Sequence, residues 1–318
     1  MTDYDDPELA EIADRLRAPD ATVRRIAVLA LADFDGDEHL PLLVGALGDA
    51  SADVRAEAAQ ALEAFETPES VAGVARLLAD DDEDVRAAAA QSLAQLKLAS
   101  SAIALLPYLA SDDAFVRAAA LRAVRELRAP ETAAPALAAL GDADPLVRRE
   151  AVSVLGWLKH AEALPALTTL ATGDPHADVR RAAVGALGSA TDDAVLPALL
   201  SALRDGAWQV REEAAATLGK LRLQGAAAAL IAALDDPYWQ VRLRAARSLG
   251  RLRSADALPA LIAALTHTIS NLRKEAALAL GEIASPLALP ALREAANDPD
   301  PEVRKSARLA LQQTEAAA

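Results

Sequence analysis

Apolar residues recur along this chain at spacings of three and four, the period of a helix with one buried face, and the whole pattern restarts about every thirty-one residues. Residues 254–285 show one full unit. An apolar stretch runs from Leu258 to Leu265, a turn follows, a second amphipathic stretch runs from Leu272 to Ile283, and Ser285 and Pro286 break the pattern. Within the second stretch of the preceding unit, Val241, Ala245 and Leu249 share one face. Each unit therefore predicts a helical hairpin.

The phase is marked by an arginine that follows a valine in every unit but one, where Leu272 stands instead. These arginines are Arg24, Arg55, Arg86, Arg117, Arg148, Arg180, Arg211, Arg242, Arg273 and Arg304, separated by 31 residues in eight intervals and by 32 in one. A unit of this size cannot bury its own apolar face, so a fixed period of about 20 to 50 residues implies stacked hairpins leaning on one another. The expected fold is all-α: a solenoid of about ten hairpins, read as one body over residues 1–318.

Three other positions recur with the arginine. Aspartate stands six residues before it in seven units (Asp49, Asp80, Asp142, Asp174, Asp205, Asp236, Asp298), in the turn between the two helices. A carboxylate there can accept backbone N–H bonds at the start of the second helix, and the row of arginines beside a row of aspartates predicts ion pairs that cross from unit to unit. The arginine is expected to open that helix. Proline stands fourteen residues before it at Pro41, Pro197, Pro259 and Pro290, which suits the first turn of the first helix. Glycine stands eight residues after it at Gly156, Gly188, Gly219, Gly250 and Gly281, and a repeated helical glycine predicts close backbone approach between neighbouring helices.

Composition narrows the chemistry. Apolar residues make up 53% and aromatics only 3%, so the core is alanine, leucine and valine. The absence of cysteine excludes disulfides, thiolate nucleophiles and cysteine metal sites. Residues 1–159 carry 29 acidic and 15 basic side chains, a net of −14, whereas residues 160–318 carry 18 and 17, a net of −1. That balance disfavours nucleic acid, which needs a coherent basic stripe. The acidic start, from Met1 to Asp6, shows no signal-peptide pattern, and no run is apolar and long enough for a membrane span, so the expected compartment is the cytoplasm.

Valine, arginine, paired alanines, leucine and glycine, with aspartate in the preceding turn, together resemble the HEAT-like repeats of the phycobilin lyase (PBS lyase) class, from about Glu8 to Gln313. The resemblance implies a right-handed α-α superhelix whose second helices line the concave side. It places the binding positions at minus three, minus two, plus one, plus two, plus five and plus nine from each arginine. Helical periodicity separately puts plus one, plus two, plus five and plus nine opposite the valine and leucine face.

All three tryptophans of the chain fall at these positions: Trp157, Trp208 and Trp239. The last two are followed by Gln209 and Gln240, and nearby positions hold Lys220, Leu243, Arg244, Arg247, Arg251 and Lys274. Exposed aromatics and arginines are common anchors in protein interfaces, so these residues are the candidate partner-binding set. Glu212, Glu213, Glu275 and Glu282 share the face and can neutralise some of the cations. The ninth turn, Thr266 to Asn271, lacks the usual acidic residues.

No catalytic constellation emerges. The four histidines, His39, His160, His176 and His267, lie in different units, too far apart to hold one metal. The iron-binding hydroxylases built on similar repeats carry histidine–glutamate pairs where this chain has Arg149–Glu150, Glu212–Glu213 and Lys274–Glu275. The basic groove of the helical DNA glycosylases is missing too. The expected function is a non-catalytic scaffold, adaptor or assembly factor that holds another protein and needs no cofactor. The alternative implied by the resemblance is a phycobilin lyase-like subunit or tetrapyrrole-binding factor.

Overall fold

A computed structural model describes residues 6–34 and 38–317. The acidic N-terminal stretch thus lies, up to residue 5, outside the described residues. No strand occurs among those described, and no helix is long and apolar enough to cross a membrane.

The helices group into two compact units, residues 1–158 and 159–318, each of five hairpins. The first holds α1 (Pro7–Arg15), α2 (Ala21–Ala32), α3 (Leu40–Ala46), α4 (Ala52–Ala61), α5 (Pro68–Arg76), α6 (Glu83–Leu93), α7 (Ala102–Leu105), α8 (Ala114–Val124), α9 (Ala133–Ala139) and α10 (Pro145–Leu158). The second holds α11 (Leu164–Gly173), α12 (Ala177–Ala186), α13 (Leu196–Ala202), α14 (Trp208–Leu221), α15 (Ala227–Ala232), α16 (Trp239–Leu252), α17 (Leu258–Ala264), α18 (Ser270–Ile283), α19 (Leu289–Ala295) and α20 (Pro301–Ala317). Even-numbered helices are the second helices of the hairpins. In each unit they pack side by side, and each is backed by its own first helix.

The first helices start where proline predicts, with Pro41, Pro197, Pro259 and Pro290 in the opening turns of α3, α13, α17 and α19. The second helices start earlier than expected. The arginine is not their first residue; helices such as α14 and α16 open three residues before it, and the residue four before it is the N-cap. Aspartate fills that N-cap at Asp20, Asp82, Asp113, Asp144 and Asp300, each accepting N–H bonds from the first turn.

The arginines do form rungs. Arg24, Arg55, Arg117, Arg180, Arg211 and Arg273 each donate Nε and Nη2 to the two oxygens of an aspartate 25 residues on: Asp49, Asp80, Asp142, Asp205, Asp236 and Asp298. All these distances lie between 2.7 and 3.0 Å. The same guanidinium binds its own turn: Arg211 Nη1 donates to the carbonyls of Asp205 and Gly206, at 2.8 and 3.3 Å. The aspartate also accepts a backbone N–H two residues on, as Asp236 does from Tyr238 at 2.9 Å. One rung therefore ties two turns and two hairpins together.

Bonding to arginine is the largest influence on Asp49, Asp80, Asp142 and Asp298 and holds them below the usual carboxylate range. At Asp205 and Asp236 burial is the larger single influence and pushes upward, but the arginine and backbone N–H bonds together still lower both.

Packing in the second unit depends on the glycine row. A Cβ added at Gly219, Gly250 or Gly281 would lie 2.8 Å from the Cα of Ser248, Ala279 or Ala310 in the next second helix. Real side chains do not tolerate that approach, so the backbones meet there as the sequence implies. Ser248, at the first of these contacts, donates its hydroxyl to the carbonyl of Ala215 at 2.7 Å, and Thr217 donates to Val184 at 3.3 Å. Small residues thus permit contact, and hydroxyls satisfy carbonyls across it.

Three outcomes are expected. Asp236→Ala leaves Arg211 without its carboxylate and lowers unfolding stability in urea by about 1–3 kcal/mol. The rung aspartates have folded pKa values below their unfolded ones, so their stabilisation is present above the unfolded value of about 3.9 and is lost as pH falls through the folded values. Urea midpoints should hold steady from neutral pH to about 5 and then decline, and a midpoint unchanged down to pH 3 contradicts the rungs. Gly250→Ala should destabilise despite alanine's helix preference of about 1 kcal/mol, whereas Gly206→Ala, where nothing stands within 4 Å, should be near neutral; thermal melts of both variants decide it.

Candidate functional site

The starts of α14 and α16 carry the aromatic side chains. Trp208 is half-buried because its indole stacks on the Tyr238 ring of the next hairpin, with centroids 5.5 Å apart and planes 13° from parallel. The Arg211 guanidinium, while bound to Asp236, also lies 5.6 Å from the Tyr238 centroid. Trp208 and Trp239 therefore do not pack as a pair. Trp239 stays 41% exposed and Tyr238 44%, values far above those of the core. Gln209 and Gln240 are half-buried, and Gln240 Oε1 is buried without a hydrogen-bond partner.

The cations beside them are mostly committed within the fold. Arg244 Nε donates to Glu212 at 3.1 Å, and Arg247 grips Glu275 through Nε and Nη2 at 2.9 and 2.5 Å. Lys274 Nζ lies 3.8 Å from Glu302. Lys220 lies across Gly188, its Nζ 3.1 Å from where a Cβ would stand. Burial raises the pKa of Glu213, which lies 3.8 Å from Arg181. The cation row expected from sequence is thus a set of ion pairs bridging consecutive second helices. Arg251 differs: it is exposed, pairs with no carboxylate among the described residues, and lines a groove of about 340 Å³ with Arg247, Glu275, Leu278, Glu282, Leu309 and Gln313. Leu243 is half-buried on the same helix.

Trp157 belongs to the first unit, where it is 41% exposed and sits under Arg128, whose guanidinium carbon is 5.1 Å from the ring. Arg128 reaches it from a left-handed backbone conformation, φ 54°, in the segment after α8. Phe115, also 41% exposed, carries a similar arginine contact from Arg86 at 5.8 Å.

Sequence reasoning missed two features of the second unit. Tyr238 is an N-cap residue, and so are Ala207 and Ile269; none of the three caps its helix with a side chain. Arg242 belongs to the rung series, yet the residue 25 positions on is His267. The available signal was the loss of aspartate at these positions in successive turns. No group of histidine, aspartate and glutamate among the described residues can hold a metal ion.

A family model for HEAT repeats matches residues 9–94, 102–187, 165–238 and 227–312, which together span most of the chain. The chain is a HEAT-repeat protein. No curated protein matches it. Among solved structures, a chain from the Kap95p–RanGDP complex aligns at 16% identity and a TM-score of 0.68, over 98% of this chain and 51% of that one. The chain therefore spans about half the length of that one. An engineered protein aligns at 22% identity and a TM-score of 0.55, covering 98% of this chain and 99% of its own. YibA of Escherichia coli aligns at 20% and 0.52, covering 93% and 98%. These likenesses are in fold.

Proposed function

We propose that this HEAT-repeat protein is a non-catalytic scaffold, an adaptor or assembly factor, that holds another protein on the second helices of its hairpins. The observation that carries the reading is the exposed aromatic pair Tyr238–Trp239 on an otherwise regular frame. Leaving about two-fifths of each of two large aromatic side chains exposed forgoes burial worth roughly 25 cal/mol per Å² of apolar area, and rings so placed are frequent anchors of protein interfaces. The frame supports such a role. The Arg211–Asp236 rung ties the turn before α16 to α14, and glycine contacts hold the middles of α14, α16 and α18, so a partner meets a preordered surface and little ordering entropy is lost on docking. The chain of similar fold in the Kap95p–RanGDP structure comes from a complex between two proteins, which accords with this reading.

The test places a photo-crosslinking amino acid at Trp239 and, as a control, at exposed Asp256, in cells that make the protein. Discrete crosslinked proteins are expected from position 239 alone, and adding Tyr238→Ala should reduce their yield about tenfold, the size of a typical aromatic anchor. Identical patterns from both positions would remove the proposed surface. A shifted haem or bilin absorption band on mixing with purified protein, abolished by Trp239→Ala, would select the tetrapyrrole-binding alternative instead.

A further inference from the structure

Arg242 is the frame arginine that the frame does not use. Its counterparts Arg211 and Arg273 bind an aspartate through Nε and Nη2 and two carbonyls through Nη1. Arg242 makes none of these bonds. Its Nε is buried without a partner, and its guanidinium forms no hydrogen bond or ion pair with any described residue. Asp236, six residues earlier, senses its charge but is bonded to Arg211.

The missing carboxylate traces to one substitution. His267 stands where the rung aspartate belongs, and its Nδ1 takes over half of that residue's work by accepting the Ile269 N–H at 3.0 Å. That bond leaves the ring's remaining proton on Nε2, so the imidazole offers Arg242 no acceptor. The turn edge changes character over the same repeats. In five other hairpins an aspartate caps the second helix, and α4 and α12 start at Ser51 and His176 with no side-chain cap bond; from α14 to α18 the N-caps are Ala207, Tyr238 and Ile269, in three successive hairpins, and their side chains make no cap bond. Abandoning caps and a rung in adjacent repeats costs stability at the helix starts, and such local violations mark functional surfaces.

We infer that this edge, formed by Trp208, Tyr238, Trp239, Arg242 and Ile269, docks an acidic extended segment of a partner protein. A glutamate or aspartate side chain of that segment pairs with Arg242, and an adjoining proline or aromatic residue packs on Tyr238 and Trp239. The inference rests on the scaffold reading and narrows it to the partner's chemistry. Charge complementarity selects the occupant. Six other rungs show that a guanidinium in this row takes a carboxylate, and the cations next along α16 are already neutralised by Glu212 and Glu275.

The experiment titrates the intact protein calorimetrically, at physiological ionic strength, with two blocked peptides of Glu-Pro-Phe and Gln-Pro-Phe repeats. The glutamate peptide is expected to bind roughly tenfold more tightly, the worth of one charge-assisted pair. Arg242→Gln should erase that preference. His267→Asp should erase it too, because Arg242 then gains an internal carboxylate, and it should raise the melting temperature, which separates lost binding from lost folding. Equal binding of the two peptides, no binding of the glutamate peptide at millimolar concentration, or a preference that survives both substitutions would overturn the inference. If crosslinking at Trp239 persists in any of those cases, the scaffold reading stands and only the acidic partner falls.

Discussion

An arginine held by the carbonyls of its own turn and by a carboxylate of the next hairpin is the interaction on which the rest of each unit depends. A helical hairpin of about thirty residues has no independent core, so its neighbours must fix both its position and its rotation. Apolar packing of alanine and leucine supplies most of the burial but little direction, because small smooth side chains slide past one another. The bidentate rung supplies direction. Five of its hydrogen bonds meet at one place, as with Arg211 and Asp236: two between the side chains, two to carbonyls, one from a backbone N–H. Their geometry sets the register of one second helix against the next.

With register fixed, the core can be made of small residues and packed closely. Gly219, Gly250 and Gly281 fall where the neighbouring Cα atoms are nearest, and Ser248 and Thr217 close hydrogen bonds across the same seam. An error of one residue in register would put leucine at those points in one direction and Lys220, Arg251 and Glu282 in the other. Rung and glycine row are therefore one device: the first specifies the approach that the second permits.

The frame was legible in the sequence because every one of its positions is repeated, and repetition separates signal from accident. Valine, arginine, aspartate and glycine each fell where periodicity put them. The helix start did not, since the N-cap precedes the arginine by four residues and its identity varies from aspartate to tyrosine. The candidate site was legible only in part. That Trp239 stays exposed while Trp208 is covered depends on the stack between Trp208 and Tyr238, which joins residues of different hairpins. The pairing of Arg244 with Glu212 and of Arg247 with Glu275 runs backward in one case and forward in the other, over 32 and 28 residues. No spacing rule reveals which glutamate an arginine will choose when two helices offer several. Arg242 was hidden for the opposite reason. It obeys the repeat perfectly, and its partner breaks it.

Regularity also explains why the fold survives those breaks. In a stack held by nearest-neighbour interfaces, a lost cap or rung weakens one interface and does not propagate. Among the repeats without a side-chain cap bond, those of α14, α16 and α18 are also those whose backbones approach most closely along the glycine row. Close packing along the middle of these helices offsets stabilisation given up at their starts. A surface can then depart from the frame over successive hairpins, with aromatic rings in water and an arginine without its carboxylate, while the helices beneath it stay in register. Three adjacent hairpins of the chain combine both properties, which is why the functional reading rests on them.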